Sequence, residues 1–198
     1  MTIIVRDLRP NAAILIGGSL AIAFVSALSL PAPAALASIV LGVLMVAGAD
    51  VDARTYLLPD AVTYGAIVCG IAAAAALAQG FEPSFEPWFN PWLAAGDAIL
   101  RAVCAASLLA LLRWSYARIR QREGIGLGDV KLAAAVGAWL PLDAVPLCFG
   151  VAASGALVAV LVAHLCGDDI ERSMRLPFGA FLCPALWLTF YASYLPGW

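Results

Sequence analysis

Charged residues are scarce in this sequence. Only 12% of its 198 residues are Asp, Glu, Lys or Arg, and it has a single histidine. An ordinary soluble domain carries about 25% charged residues. Apolar residues make up 64% instead, and the mean hydropathy is +0.96. Because this apolar character extends over nearly the whole chain, both a soluble enzyme fold and a soluble domain with one membrane anchor are excluded.

The few basic residues also lack the clustering that a nucleic-acid partner requires. Eleven Lys and Arg face thirteen Asp and Glu, for a net charge of −2, whereas a nucleic-acid site needs a basic stripe on a soluble face. No nucleic-acid partner is expected. The five cysteines lie in or at the ends of apolar segments without a CxxC pair, so we expect buried thiols rather than disulfides or zinc ligands. The sequence predicts no metal and no cofactor.

Long apolar runs dominate what remains, and they predict a helical bundle in the membrane. Backbone amides in hydrocarbon must be paired internally, and these Ala/Leu/Val-rich runs lack the alternation of barrel strands. We therefore predict an all-α, polytopic transmembrane bundle that forms one integral-membrane domain over residues 1–198. Seven segments are expected: 12–30, 34–50, 60–79, 94–117, 129–141, 143–165 and 176–195. The fifth would rise only about 20 Å as a helix, short of a hydrocarbon core about 30 Å thick.

The basic residues orient these segments, because positive charge near short loops stays in the cytoplasm. Arg6 and Arg9 place the N-terminus inside. Seven crossings then leave only Arg101 on the outer side, with the C-terminus and the Trp- and Pro-rich stretch 81–92 outside as well. The remaining basic residues fall inside: Arg54, Arg113, Arg118, Arg120, Arg122, Lys131, Arg172 and Arg175.

The N-terminal segment has a second interpretation. Arg6 and Arg9, an apolar stretch and the tripeptide Ala35-Leu36-Ala37 also resemble a cleavable signal peptide. Retention of residues 1–37 in the cell is therefore left open. Cleavage would leave every later segment pointing the same way.

Aspartates at the membrane edge are the strongest candidates for chemistry, because an ionisable group there is costly. Asp52 directly follows the second apolar segment, and Asp129 opens the short fifth one. Asp50 and Asp52 are about 200° apart on a helix, so one of them must face elsewhere. Asp60 follows Pro59, where an N-cap that accepts from the Thr63 amide is the expected role.

Glycines recur immediately before Asp129, at positions 124, 126 and 128. Without side chains, Gly126 and Gly128 would let an extended peptide backbone approach the aspartate. On that hypothesis, bulk at either position impairs catalysis more than folding. The alternative is a flexible turn before a helix, with Asp129 as an ordinary acidic residue of the first turn.

Taken together, these segments resemble the type IV prepilin peptidase family of intramembrane aspartyl proteases. The stretch EGIGLGDVKLAAAVGAW (123–139) is similar to the glycine–aspartate block of that family, and DARTYLLPD (52–60) is similar to its first aspartate block. RLPFGAFL (175–182) resembles part of the last helix. The resemblance covers roughly residues 50–195.

This resemblance implies a function and a pair of catalytic residues. Asp52 and Asp129 would be the catalytic pair, and both lie on the cytoplasmic side of the charge-based topology, where a prepilin leader would be cut. The implied partners are the substrate helix of a prepilin or pseudopilin and the lipid bilayer, and the implied location is the bacterial inner (cytoplasmic) membrane. Larger members carry an N-terminal domain with two cysteine pairs linked to methylation. This chain shows neither, so it resembles a minimal peptidase form without expected methyltransferase activity.

Peptide hydrolysis requires a general base and a general acid, and two nearby carboxylates can supply both as a coupled pair. Which aspartate is the base, the oligomeric state and the particular substrate stay open. Lys131 has several candidate roles: an interfacial lysine, an anchor for the loop, or a binding group for an acidic substrate residue. A membrane transporter or proton-relay protein that uses the same carboxylates is the alternative function.

Overall fold

The computed structural model describes residues 9–80, 90–121, 126–166 and 177–195. All regular secondary structure in these ranges is helical, which confirms the predicted all-α bundle. The helices are α1 (Ala12–Ser29), α2 (Ala32–Thr55), α3 (Asp60–Gly80), α4 (Pro91–Arg120), α5 (Leu127–Trp139), α6 (Val145–Leu165) and α7 (Phe178–Ala192). Five of them, α1 to α4 and α6, are long and apolar enough to cross a membrane.

Local sequence signals mark several helix ends. The Asn11 side chain accepts a hydrogen bond from the Ala13 amide at 3.0 Å, and Asn90 accepts from the Trp92 amide at 2.9 Å. Each asparagine caps amides that the first turn of a helix leaves unpaired. At the other end of α2, Tyr56 takes a left-handed conformation with φ 57°, which stops the helix and turns the chain.

Two helix boundaries differ from the sequence prediction. Helix α2 continues to Thr55, past the predicted end at residue 50, because Asp50 and Asp52 find partners that allow them to lie in its last turns. Asp52 therefore lies within the helix and does not follow it. Helix α7 has 15 residues and covers only the middle of the predicted segment 176–195. Two helices, α5 and α7, are thus shorter than a full membrane span, and the sequence predicted only the first.

The short helix α5 lies at the centre of the bundle. It packs against α3, α4 and α7, and most of its side chains from Leu132 to Trp139 are buried. The Trp139 indole donates a hydrogen bond to the Ala66 carbonyl of α3 at 2.8 Å and makes an edge contact with the Phe190 ring of α7. These contacts fix the direction in which the N-terminal end of α5 points.

The remaining helices surround this centre and expose apolar side chains outward. Helix α2 packs against α1, α3 and α7, while α6 packs mainly against α7. Exposed large apolar residues are numerous on α1, α4 and α6, including Phe24, Leu108 and Leu157. A surface of this kind is suited to lipid, in which apolar side chains need no cover.

Gly137 sets the separation of α4 and α5. A Cβ atom at this position would lie within van der Waals overlap of the Arg101 carbonyl oxygen and 2.9 Å from the Ala102 Cα atom. Small residues permit such close backbone approach between membrane helices. The close contact between α4 and α5 therefore depends on having a glycine at position 137.

We expect Gly137→Ala to lower the free energy of unfolding by about 1–3 kcal/mol, because the backbone of α4 must move away. Thermal unfolding of the purified protein in detergent measures the change. Gly150→Ala is the matched control, since no atom lies within 4 Å of its Cβ position. Equal melting temperatures for the two variants would contradict this account of the α4–α5 contact.

Candidate active site

Asp52 lies in the last turn of α2 and is 6% exposed. Its Oδ2 atom accepts a hydrogen bond from the Ala180 amide at 2.8 Å, and Gly179 lies against the same carboxylate. Both residues belong to the first turn of α7, and the Ala180 amide also donates to the carbonyl of the N-cap residue Pro177 at 3.2 Å. The N-terminus of α7 therefore holds the Asp52 carboxylate, as helix N-termini commonly hold anions.

Gly179 lies in the segment RLPFGAFL (175–182), and the sequence alone indicates no role for it. A Cβ atom at position 179 would lie 2.8 Å from Asp52 Oδ2 and 2.8 Å from Leu58 Cδ1. Any larger residue would displace one of these groups. One sequence signal could have suggested this contact. Gly179 lies near the start of an apolar segment, and Asp52 is an acid at the membrane edge that needs hydrogen-bond donors.

Asp129 lies in the first turn of α5 and is half-buried. Its Oδ2 atom accepts a hydrogen bond from the Gly126 amide at 3.2 Å. A Cβ atom on Gly126 would lie 3.3 Å from the same oxygen. The glycine therefore leaves room for the bend that returns the Asp129 carboxylate to its own helix start.

The two carboxylates, far apart in the sequence, are brought together by the meeting of α2 and α5 with α7. They lie near enough to interact electrostatically, and the buried Cys183 thiol of α7 lies near both. Each carboxylate is hydrogen-bonded by a backbone amide at a helix start, α7 for Asp52 and α5 for Asp129. The fold thus compensates the cost of two acids at the membrane edge with amide donors.

Gly128 does not border open space in this structure. A Cβ atom there would lie 3.3 Å from the Leu58 Cβ atom, which belongs to the connection between α2 and α3. Gly124 lies outside the described residues. The hypothesis that Gly126 and Gly128 admit an extended peptide stays a prediction. Such a peptide would have to contact or displace Leu58 beside Gly128.

Asp50 faces away from this pair, as the helix geometry predicts. Its carboxylate forms an ion pair with Arg54 at 2.6 Å and accepts a hydrogen bond from the Asn11 amide at 2.7 Å. Arg54 also donates to the Arg9 carbonyl at 2.8 Å. Asp50 therefore joins the N-terminal end of α1 to the C-terminal end of α2.

The N-cap role predicted for Asp60 is wrong. The Thr63 amide donates to the Pro59 carbonyl at 3.2 Å, and the Asp60 carboxylate forms an ion pair with Lys131 of α5. The Lys131 ammonium group also lies 5.1 Å from the centre of the Tyr64 ring. Because Asp60 can reach a cation on the neighbouring helix, it makes this stronger, charge-assisted contact. Among the roles considered for Lys131, these contacts favour an anchor for the loop.

Two carboxylates that lie near enough to interact electrostatically can perform acid–base chemistry, one accepting a proton while the other donates one. Over the described ranges, no group of three or more His, Cys, Asp or Glu side chains is placed to hold a metal ion. The arrangement is suited to the activation of a water molecule and the protonation of a carbonyl oxygen at a single site. Hydrolysis of an amide bond requires both.

Comparison with known proteins gives consistent matches. Residues 39–195 match the model of the type IV leader peptidase family. A leader peptidase, HopD, from Escherichia coli is 38% identical over 101 residues, which are 51% of this chain and 65% of that protein. A prepilin leader peptidase/N-methyltransferase from Aeromonas hydrophila is 30% identical over 159 residues, 77% of this chain and 48% of that protein.

A prepilin leader peptidase/N-methyltransferase from Burkholderia pseudomallei (strain 1026b) is 32% identical over 152 residues, 77% of this chain and 45% of that protein. The chain thus spans about half the length of several curated relatives. No solved structure matches it significantly. The family match and the apolar helices together identify a multi-pass membrane protein. The matched segment contains both aspartates of the pair, and the chain belongs to the type IV leader peptidase family.

Proposed function

We propose that this protein is an intramembrane aspartic endopeptidase that removes the leader peptide of type IV prepilins or pilin-like proteins. The single observation that carries the proposal is the meeting of Asp52 and Asp129 at the junction of α2, α5 and α7. Family membership supports it, because the relatives are named leader peptidases. Nothing among these relatives favours the transporter or proton-relay alternative.

In the proposed reaction, Asp52 and Asp129 share one proton and act as a pair. The ionised carboxylate takes a proton from water, whose oxygen attacks the carbonyl carbon of the scissile peptide bond. The protonated carboxyl group gives its proton to the carbonyl oxygen. When the resulting gem-diol collapses, the C–N bond breaks and the amine leaves with the proton that was taken from water. One hydroxyl of the diol returns its proton to the second carboxylate as the carbonyl group of the product re-forms. The pair is then ready for another cycle.

The hydrogen bonds around the pair support this role. Backbone amides cannot be deprotonated or reoriented easily, so Ala180 and Gly126 hold the two carboxylates in fixed positions. The ion pair between Asp60 and Lys131 joins the start of α3 to the start of α5, close to the same site. Fixed geometry of this kind lowers the reorganisation needed in the transition state.

The proposed location is the bacterial inner membrane, with the aspartate pair at the cytoplasmic face. The starts of α3, α5 and α7 lie at the same end of the bundle as the C-terminal end of α2. Arg54 at the end of α2 and the basic last turn of α4, with Arg118 and Arg120, lie there too. Since basic residues are retained in the cytoplasm, this end faces inward, and the substrate's leader would be reached from that side.

We expect Asp52→Asn and Asp129→Asn each to reduce leader cleavage by about 100-fold or more, because an amide can act as neither acid nor base. The assay mixes the purified protein in detergent with a prepilin and follows leader removal by gel electrophoresis. Asp97→Asn is the matched control, because its carboxylate is 61% exposed and pairs with Arg101 on the same helix, α4. Asp50→Asn and Asp60→Asn should be milder than either catalytic variant. Wild-type rates in Asp52→Asn would overturn the assignment.

The proposed orientation makes a separate prediction. Single cysteines introduced into the stretch 81–92 of a variant without native cysteines should react with a membrane-impermeant thiol reagent added outside intact cells. A cysteine at position 121, after α4, should react only after the inner membrane is permeabilised, since α4 would separate the two sites. The reverse pattern would place the aspartate pair on the outer side and contradict cleavage of leaders in the cytoplasm.

A further inference from the structure

The connection between α2 and α3 passes beside Gly128 and Gly179, the glycines next to the aspartate pair. It consists of residues 56–59 and begins with Tyr56, whose left-handed conformation is rare for a residue with a side chain. This conformation reverses the chain directly after the helix turn that carries Asp52. Leu58 is thereby directed toward the site instead of following the axis of α2.

Both ends of this connection are held in place. On the α2 side, the Thr55 hydroxyl oxygen accepts from the Leu57 amide at 3.2 Å, and the same hydroxyl contacts the Leu57 carbonyl at 3.2 Å. On the α3 side, Asp60 is paired with Lys131 of α5. The position of Leu58 is therefore set by the bundle, although it lies in a connection between helices.

The Leu58 side chain lies between two glycines that flank the aspartate pair. Its Cβ atom is 3.3 Å from the Cβ position of Gly128, the residue before Asp129. Its Cδ1 atom is 2.8 Å from the Cβ position of Gly179, and Asp52 Oδ2 lies at the same distance from that position. Leu58 is thus in contact with the backbone on both sides of the site.

These contacts have a consequence for any peptide that reaches the pair. On the hypothesis that an extended substrate backbone approaches the pair beside Gly128, the side chain that it meets there is Leu58, which contacts the Gly128 Cβ position. We propose that Leu58 forms the wall of the subsite for a substrate residue adjacent to the scissile bond and sets the largest side chain accepted there. This inference rests on the proposed peptidase function and adds a specificity-determining residue to it.

Leu57 offers a matched control for Leu58. The two residues have the same side chain and lie in the same connection, but Leu57 is 49% exposed, whereas Leu58 is partly buried and packs against the core. A change at Leu57 alters the composition of the connection without altering the wall of the site. If Leu58→Ala and Leu57→Ala have different effects, the cause is therefore the position of the leucine and not the loss of a leucine side chain as such.

The first experiment compares substrate preference. Prepilin variants carry Gly, Ala, Leu or Phe immediately before or immediately after the scissile bond, and kcat/KM is measured for the wild type, Leu58→Ala, Leu58→Phe and Leu57→Ala. At one of the two positions, we expect Leu58→Ala to raise kcat/KM for the Phe substrate relative to kcat/KM for the Gly substrate at least tenfold. Leu58→Phe should lower the same ratio. An unchanged ratio at both positions in both Leu58 variants, with Leu57→Ala behaving the same, would overturn the proposal.

A second measurement needs no cleavage and so separates this inference from the proposed function. A hydrophobic carbodiimide modifies accessible carboxyl groups, and mass spectrometry of peptides gives its rate at Asp52 and Asp129. Leu58→Ala should raise the rate at one or both of these residues at least fivefold, while Leu57→Ala should leave it unchanged. Equal rates in the two variants would overturn the role of Leu58. Faster labelling in a protein that cleaves no prepilin would instead overturn the peptidase function, and the substrate subsite with it, while Leu58 would still be shown to cover the carboxylates.

Melting temperatures of the variants show whether an effect of Leu58→Ala comes from a loss of stability. If Leu58→Ala unfolds on purification, Leu58→Val removes a smaller volume and is tested in the same two assays. Faster labelling at an unchanged melting temperature supports the subsite. Labelling that increases only in proportion to the loss of melting temperature contradicts it.

Discussion

The hydrogen bond from the Ala180 amide to Asp52 is the interaction on which the candidate site depends. A buried carboxylate in a largely apolar bundle is costly unless donors satisfy it. Here the donor is an amide at the start of α7, which is shared between Asp52 and the Pro177 carbonyl at 3.2 Å. The contact satisfies the carboxylate and links α7 to α2. The position of α5 and of Asp129 is then determined by packing against α3, α4 and α7.

The bundle was largely predictable from the sequence, because the bilayer imposes one strong rule. Each helix must be apolar over most of its length, so runs of Ala, Leu and Val reveal the segments. The shortness of α5 was visible from Pro141. The length of α7 was not, since Pro184 lies inside that helix and does not mark either of its ends. The extension of α2 past residue 50 was not predictable either. Asp50 and Asp52 are unfavourable in a membrane helix unless they have hydrogen-bond partners, and the sequence does not show those partners.

The site was predictable in part. Helix periodicity required Asp50 and Asp52 to face apart, and the family resemblance selected Asp52 and Asp129. The contacts of Leu58 and Gly179 could not be predicted, because they arise only when α2, α5 and α7 meet. The pairing of Asp60 with Lys131 was missed for the same reason: a local cap can be read from neighbouring residues, but an ion pair between α3 and α5 depends on tertiary packing.

The dependence of Asp52 on α7 also has a consequence for biosynthesis. During translation, α2 enters the membrane long before α7 exists, so the Asp52 carboxylate first resides at the membrane edge without its amide donor. The later arrival of Phe178–Ala192 supplies it. The aspartate pair therefore acquires its fixed geometry only after α7 has been synthesised, and until then the two carboxylates do not form an assembled site.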